Sequence, residues 1–252
     1  MHRWLPAVYL KGNRSGCEPK LVVPTPDRGA YTCGVILIAD KYSSFAPLYD
    51  LMSAEIPVYR AGRKLGVQTL DLHPGAQVLD VGCGTGLNFR HLKERIGPAG
   101  TIVGIDRSAE MLAQARRKAT RQGWTNIILV QADTTTTPTE AIIESITSQG
   151  GLPLSDAALA TYALSLMKPW EAGWTMMQDL TAPGGRLCVV DMQDPTSRIP
   201  GARALARLAC RLGGADITAH PFAAVERDCI DVTARSARAG HLQIRTGHHP
   251  AS

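Results

Sequence analysis

Apolar residues in this chain alternate between short continuous runs and longer stretches of helical period. The short runs are rich in Val, Ile, Leu and Ala and lie between glycine, proline and polar segments, which predicts buried strands. These predicted strands are 77–81, 101–105, 127–131, 157–162 and 186–191. The stretches with a period near 3.6 predict helices over 86–96, 109–122, 139–149 and 169–180. Such alternation predicts a parallel sheet with helices on both faces.

The two ends of the chain follow different patterns. Residues 1–40 are rich in turn residues and have no sustained period, which predicts a loosely ordered N-terminal tail and a folded domain over 41–252. Near the C-terminus, residues 230–237 and 241–245 flank a turn that contains Gly240, which predicts an antiparallel hairpin. The predicted fold class is α/β: a doubly wound, mostly parallel, seven-stranded sheet that ends in an antiparallel hairpin.

A glycine-rich stretch after the first predicted strand carries the strongest chemical signal. Residues 78–86 read Val-Leu-Asp-Val-Gly-Cys-Gly-Thr-Gly, and 20 residues later the second strand ends in Asp106. Ligands bind beyond the carboxyl ends of such strands, where glycine lets the backbone approach and an acid accepts hydrogen bonds from ribose hydroxyls. A dinucleotide fingerprint requires glycine where Leu87 stands, and the carboxylate of Asp80 would repel a pyrophosphate. A cationic or zwitterionic nucleoside is therefore favoured.

This stretch resembles the first motif of the class I S-adenosylmethionine-dependent methyltransferases. The layout of residues 42–247 is similar to the ubiquinone/menaquinone C-methyltransferases and the bacterial phosphatidylethanolamine N-methyltransferases. The resemblance implies a Rossmann-like methyltransferase fold and S-adenosyl-L-methionine as cofactor. It implies cofactor contacts at Tyr49, Asp80, Gly82, Cys83, Gly84, Gly86, Asp106, Arg107, Met111, Ala132, Asp133 and Thr161.

The implied roles differ between these residues. Asp106 would accept hydrogen bonds from both ribose hydroxyls and Asp133 from the adenine amino group. A capping or turn role is the alternative for Asp133, and core packing is the alternative for Met111. Tyr49 would cover the cofactor, and Tyr42 or Tyr59 would serve equally.

The expected activity is methyl transfer to a small-molecule acceptor, which makes the protein an enzyme of the EC 2.1.1 class. Positioning of the acceptor supplies most of the acceleration, so no catalytic base is assigned; His73, His220 and His241 are candidates by residue type only. Tyr162, at the end of the fourth strand, is the candidate on the acceptor side. The alternatives are a membrane lipid head group or isoprenoid quinone as acceptor, and a non-catalytic nucleoside-binding domain.

The composition and the local motifs limit which ligands and substrates are expected. Apolar residues make up 44% of the 252 residues and charged residues 19%, which supports a packed core. The six cysteines form no C-x-x-C pair and have no histidine at metal-ligand spacing, so neither a metal site nor a disulfide framework is expected. The net charge of +5 is modest. Enzymes that methylate DNA amino groups carry an acid or amide, two prolines and an aromatic after strand four, whereas residues 162–165 read Tyr-Ala-Leu-Ser, so nucleic acid is not expected as substrate.

Location and membrane contact follow from hydropathy. No apolar run has the length of a bilayer span and the N-terminus does not resemble a signal peptide, so a cytoplasmic protein is expected. A predicted helix over 201–212 has three arginines on one side and three leucines on the other: Arg203, Arg207, Arg211, Leu205, Leu208 and Leu212. Such a helix suits peripheral contact with an anionic membrane. The competing interpretation is an ordinary surface helix with solvated arginines and leucines in the core.

Overall fold

The computed structural model describes residues 59–196 and 202–251. Tyr42, Tyr49 and the predicted tail over 1–40 lie outside these residues. In chain order the elements are α1 (Arg60–Thr69), β1 (Gln77–Val81), α2 (Phe89–Ile96), β2 (Thr101–Asp106), α3 (Ala109–Arg121), β3 (Ile127–Gln131), α4 (Thr139–Ser148), β4 (Ser155–Thr161), a 3₁₀ turn (Leu164–Leu166), α5 (Trp170–Asp179), β5 (Thr181–Met192), α6 (Ala202–Gly213), α7 (Ala223–Asp228), β6 (Ile230–Ala237) and β7 (Leu242–His248).

The strands form one sheet in the order β3-β2-β1-β4-β5-β7-β6. Strands β1 to β5 pair in parallel. Strand β7 runs antiparallel to both β5 and β6. The order reverses between β1 and β4, which is the point at which doubly wound sheets bind ligands. The predicted fold class is confirmed.

The central strands are continuous apolar runs because helices cover both faces of the sheet. All five residues of β1 are buried. One core cluster contains Val81, Ile105 and Trp174, and the cluster on the other side of the sheet contains Val78 and Phe89. Each large apolar side chain buried in this way stabilises the fold by about 1.5–3 kcal/mol.

Helix α1 lies close to the sheet because it places glycine at the contact. A Cβ atom on Gly66 would lie 2.5 Å from Cγ2 of Val190, and a Cβ atom on Gly62 would lie 3.1 Å from Cγ1 of the same residue. The spacing of four residues puts both glycines on one face of the helix. The first turn of α1 thereby reaches the edge of the sheet where β4 and β5 end.

Several observed elements differ from their predicted bounds: β4 is Ser155–Thr161 rather than 157–162, and β7 is Leu242–His248 rather than 241–245. Two further differences have a local cause. Strand β5 begins at Thr181 rather than at residue 186, because Thr181 pairs with Ser155 and the intervening residues form a bulge before Arg186 pairs with Ala157. Helix α2 begins at Phe89 rather than at residue 86, because Gly86 has a φ of +74° and belongs to the preceding loop.

Among residues 59–196 and 202–251, no helix combines the length and the apolar character needed to cross a bilayer.

Candidate functional site

The carboxyl ends of β1, β2 and β4 meet at one edge of the sheet, beside the reversal in strand order. Each of these ends carries a polar side chain after an apolar run: Asp80 in β1, Asp106 in β2 and Thr161 in β4. We call this edge the rim.

The glycine loop after β1 is tightly packed at its first and third glycines and open at its middle glycine. Gly82, Gly84 and Gly86 have φ values of +64°, +53° and +74°, a region that glycine adopts without strain. A Cβ atom on Gly82 would lie 2.5 Å from Cβ of Ala163, and one on Gly86 would lie 2.5 Å from Cε2 of Phe89. At Gly84 no described atom lies within 4 Å of such a Cβ. The middle of the loop therefore presents bare backbone to an open space.

Asp106 holds its carboxylate against this loop. Oδ2 accepts a hydrogen bond of 2.8 Å from the backbone N–H of Gly84. Oδ1 accepts one of 2.9 Å from the backbone N–H of Ser108. Burial raises the pKa of this carboxyl, whereas the two backbone hydrogen bonds lower it. Each oxygen retains a lone pair, so the carboxylate can also accept from two hydroxyls of a ligand.

Asp80 is wholly buried at the end of β1. Its Oδ1 accepts a hydrogen bond of 2.8 Å from Nδ2 of Asn88. Its Oδ2 has no hydrogen-bond partner among the described residues. Burial raises the pKa of Asp80 to about 7, against the hydrogen bond from Asn88 and the positive charge of Arg63, which lower it. An unpartnered buried oxygen is costly unless a cationic or hydrogen-bond-donating ligand faces it.

Two further residues at the rim, Arg63 and Asn88, were not among the predicted site residues. Nη1 of Arg63 donates to Oγ1 of Thr161 and lies 3.4 Å from Oδ1 of Asn88. Nδ2 of Asn88 also lies 3.0 Å from Oγ1 of Thr161. The sequence signal for Asn88 is its position two residues after the third glycine. Arg63 has no such signal, because only the docking of α1 brings it to the rim.

The residues expected near adenine lie just after β2 and β3 or in the first turn of α3. Oδ1 of Asp133 accepts from the N–H of Thr135 at 2.9 Å and from its hydroxyl at 2.6 Å, which is the turn role considered as the alternative. The N–H of Ala132 donates to the carbonyl of Asp106 at 3.1 Å, which places the end of β3 beside Asp106. Met111 is buried, and Arg107 is exposed.

Tyr162 ties the end of β4 to α1. Its hydroxyl donates to the carbonyl of Tyr59 at 2.9 Å, and the two rings lie 4.8 Å apart. The guanidinium carbon of Arg63 lies 5.1 Å from the centre of the Tyr162 ring. Tyr162 therefore forms part of a wall beside the rim, on the side of β5.

Cys83 packs beneath the glycine loop. Its side chain is buried, and a Cβ atom on Gly104 of β2 would lie 2.9 Å from its Sγ. Burial raises the pKa of this thiol well above its ordinary value, so the side chain is a neutral packing group.

Helix α6 differs from its predicted packing. Arg203 and Arg207 both pair with Asp194, in the segment after β5. Leu208 is 54% exposed, so the expectation that it packs in the core is wrong. The helix instead buries Cys210 against the rest of the fold.

These features fit S-adenosylmethionine. The bare backbone at Gly84 leaves room for a ligand, the free oxygen of Asp80 suits a positive charge, and Asp106 can accept from ribose hydroxyls. A pyrophosphate would meet the Asp80 carboxylate and be repelled.

The sequence profile of the family described as "Methyltransferase domain" matches residues 72–234, well over half of the chain. The chain belongs to this family. The matched residues of the methyltransferase domain contain the glycine loop, Asp106 and the end of β4. The resemblance to S-adenosylmethionine-dependent methyltransferases is confirmed.

A demethylmenaquinone methyltransferase of Desulfitobacterium hafniense (strain Y51) is 29% identical over 182 residues, which cover 69% of this chain and 63% of that protein. This chain thus spans less than two thirds of that relative.

Solved structures show the same fold at lower identity. An O-methyltransferase family protein from Burkholderia thailandensis gives a TM-score of 0.60 at 19% identity, covering 81% of this chain and 59% of that one. The [4+2]-cyclase SpnF also gives 0.60, at 16% identity, covering 84% of this chain and 94% of that one. The fold therefore does not by itself determine the reaction.

Proposed function

We propose that this methyltransferase-domain protein is an enzyme that transfers the methyl group of S-adenosyl-L-methionine to a small-molecule acceptor. The observation that carries the proposal is the Asp106 carboxylate, held against the open glycine loop by the N–H of Gly84 at 2.8 Å. When bound, the cofactor supplies a methyl group already activated by the sulfonium.

The cofactor contacts are part of this proposal. Asp80 faces the positive charge, Asp106 accepts from the ribose, and Asp133 accepts from the adenine amino group through Oδ2. The remaining proposed contacts are Tyr49, Gly82, Cys83, Gly84, Gly86, Arg107, Met111, Ala132 and Thr161. Arg63 and Asn88 join them, since both hydrogen-bond at the rim with Thr161.

The chain's own contribution to catalysis is positioning and the exclusion of water. The network of Arg63, Asn88 and Thr161 holds the start of α1 against the ends of β1 and β4. Tyr59 and Tyr162 extend this network toward β5, and together these residues form the wall beside the rim. An acceptor enclosed between the wall and the cofactor would meet the methyl group in one orientation.

A membrane-embedded acceptor, an isoprenoid quinone, is the second candidate. It is supported by the name of the relative from Desulfitobacterium hafniense and by the exposed Leu208 on a helix that carries Arg203, Arg207 and Arg211. We propose a cytoplasmic protein with peripheral membrane contact through α6 and without a nucleic-acid substrate. The rival hypothesis is a function other than methyl transfer, since SpnF, a cyclase, has the same fold.

Cofactor binding is tested by thermal unfolding with S-adenosylhomocysteine. A ligand at about a hundredfold excess over its Kd stabilises the folded state by about 2.7 kcal/mol, which raises the Tm of a chain of this size by roughly 5 to 10 °C. We expect this rise in the wild type and the loss of most of it in Asp106→Ala, because the ribose loses its acceptor.

The matched control is Glu144→Ala, which removes an exposed carboxylate from α4 and should keep the full rise. NAD should give no rise. A full rise in Asp106→Ala would contradict the assignment of the ribose ligand, and a rise with NAD alone would contradict the proposed function.

A further inference from the structure

A cavity lies between the C-terminal half of α1 and strand β6. Its volume is about 390 Å³, which is within the range of small-molecule sites. We call it the α1–β6 pocket. The polar residues that line it come from α1 and the turn after it, from β5 and from β6: Gln68, Thr69, Asp71, Arg186, Thr233 and Arg235.

The pocket arises because β6 extends beyond the part of the sheet that α1 covers. Helix α1 reaches β7, since Oγ1 of Thr69 lies 2.6 Å from Oγ1 of Thr246. Thr246 pairs directly with Thr233 of β6. Directly paired residues point to the same face of a sheet, and residues two apart in a strand share a face. Thr233 and Arg235 therefore lie on the face that holds α1, with β6 as the floor of the pocket and α1 as its side.

Arg186 reaches the pocket from β5. Its Nη1 lies 3.4 Å from the carbonyl oxygen of Thr69, and its Nη2 lies 3.6 Å from Oδ2 of Asp71. The carbonyl and the carboxylate in the lining thus contact the same guanidinium group. This ion pair is weak, because the side chain of Asp71 is 83% exposed and water screens the attraction.

Three other polar side chains of the lining have no bonding partner within the part of the chain that the structure describes. Gln68, Thr233 and Arg235 make no side-chain hydrogen bond or ion pair with residues 59–196 or 202–251. The guanidinium of Arg235 offers five N–H donors, the amide of Gln68 two and the hydroxyl of Thr233 one. Together with Arg186, the pocket brings four donor groups from three elements to one cavity.

These donors specify the charge and the shape of a ligand. Two guanidinium groups favour an anion. A carboxylate has two oxygens, which one guanidinium group can bind in a bidentate manner. A phosphate group carries up to two negative charges and three acceptor oxygens. A phosphate can therefore accept from α1, β5 and β6 at once, whereas a carboxylate leaves some of these donors unused.

We propose that the α1–β6 pocket binds the phosphate group of a small phosphorylated molecule. Arg186 and Arg235 hold the phosphate oxygens through charge-assisted hydrogen bonds, and Gln68 and Thr233 donate further hydrogen bonds. The pocket is distinct from the rim, because Gln68 lies more than one helical turn after Arg63, the residue of α1 that contacts Thr161. The inference therefore does not rest on the proposed function.

The test titrates the full chain with inorganic phosphate in a calorimeter, at an ionic strength held constant with sodium chloride. We expect saturable binding of one phosphate per chain. The Kd should rise about tenfold or more in Arg235→Gln, because the variant loses a hydrogen bond to a charged group. Arg235 is exposed on the edge strand of the sheet, so an unchanged Tm should show that the variant is folded.

Arg238→Gln is the matched control. Arg238 is an exposed arginine in the turn of the same hairpin and does not line the pocket. The variant loses the same charge, and we expect it to keep the wild-type Kd. Equal losses in both variants would mean that phosphate responds to net charge alone, which would overturn the site.

Asp71→Asn tests the site in the opposite direction. Asp71 has a φ of +48°, a conformation that asparagine adopts as well as aspartate, so the backbone should not change. Without the carboxylate, Arg186 is released to the ligand, and phosphate should bind about threefold more tightly. Unchanged or weaker binding would contradict the role of Arg186.

Two further titrations test the class of ligand and the location of the site. Acetate, a carboxylate, should bind more weakly than phosphate, and equal affinities would overturn the assignment of a phosphate group. Saturation with S-adenosylhomocysteine should not displace phosphate; displacement would place the anion at the rim and overturn the separate pocket. If phosphate fails to bind while S-adenosylhomocysteine still raises the Tm, this inference fails and the proposed function does not.

Discussion

At the scale of single residues, two buried aspartates near the carboxyl ends of β1 and β5 show what distinguishes a site from a structural contact. Asp191 of β5 is fully buried, and both its oxygens accept hydrogen bonds, from Ser165 and from the N–H of Met192. Asp80 is equally buried, but its Oδ2 has no described partner. Of these two aspartates, Asp80 is therefore the one with an oxygen left to bind a ligand.

The burial of the Asp80 carboxyl makes stability depend on pH, because burial raises its pKa. The folded pKa of Asp80 is about 7, above its ordinary 3.8. The folded state thus holds the proton more tightly than the unfolded chain, so stability falls as pH rises from about 4 to 7 and stays reduced above that. A difference of about 3 pH units corresponds to about 4 kcal/mol.

We predict that Asp80→Asn removes this dependence. Urea unfolding should give similar free energies for variant and wild type near pH 4, and a variant that is more stable by up to about 4 kcal/mol at pH 8. The same variant should bind S-adenosylmethionine more weakly, since it lacks the negative charge. Parallel stability curves for the two proteins from pH 4 to 8 would count against a perturbed Asp80.

At the scale of elements, the docking of α1 sets the shape of the rim. A Cβ atom on Gly62 would lie 2.0 Å from the hydroxyl oxygen of Tyr162, whose position is fixed by its hydrogen bond to Tyr59. We predict that Gly62→Ala lowers the free energy of unfolding by about 1–3 kcal/mol through overpacking. Urea titration measures this loss, and Lys64→Ala on the exposed face of α1 should show none.

The double variant Gly62→Ala, Tyr162→Phe separates overpacking from other causes. Removing the hydroxyl makes room for the new methyl group. The double variant should therefore lose less unfolding free energy than the two single variants lose in sum. Additive losses would mean that the two residues do not collide.

The elements themselves were largely predictable from sequence. Strands β1 and β3 match their predicted bounds because continuous apolar runs end at glycine or polar residues. Asp106 was predictable as well, since it follows the glycine loop locally in the chain. The contact of Arg63 with Thr161 was not, because it joins residues 98 positions apart and depends on how α1 packs.

At the scale of the whole molecule, the sequence and the fold identify the family. Exposed apolar side chains indicate where the protein would contact a membrane that holds the acceptor. Leu208 is 54% exposed on α6, and Leu152 is 57% exposed before the start of β4, at the opposite edge of the sheet. Insertion of one leucine into a membrane stabilises binding by about 1.5–3 kcal/mol.

We therefore predict that Leu208→Gln weakens binding to anionic phospholipid vesicles roughly tenfold or more, as measured by sedimentation. Leu152→Gln is the control and should bind like the wild type, since Leu152 lies at the edge away from the rim. Equal losses in both variants, or none in either, would rule out α6 as the membrane contact.

The rim collects residues from segments far apart in the chain, from Arg63 through Asp106 to Thr161. A nucleoside seated there would act as a cross-link between the first described helix and the middle of the sheet. Proteases that cut the transiently opened chain should then find α1 and the glycine loop protected together rather than one after the other.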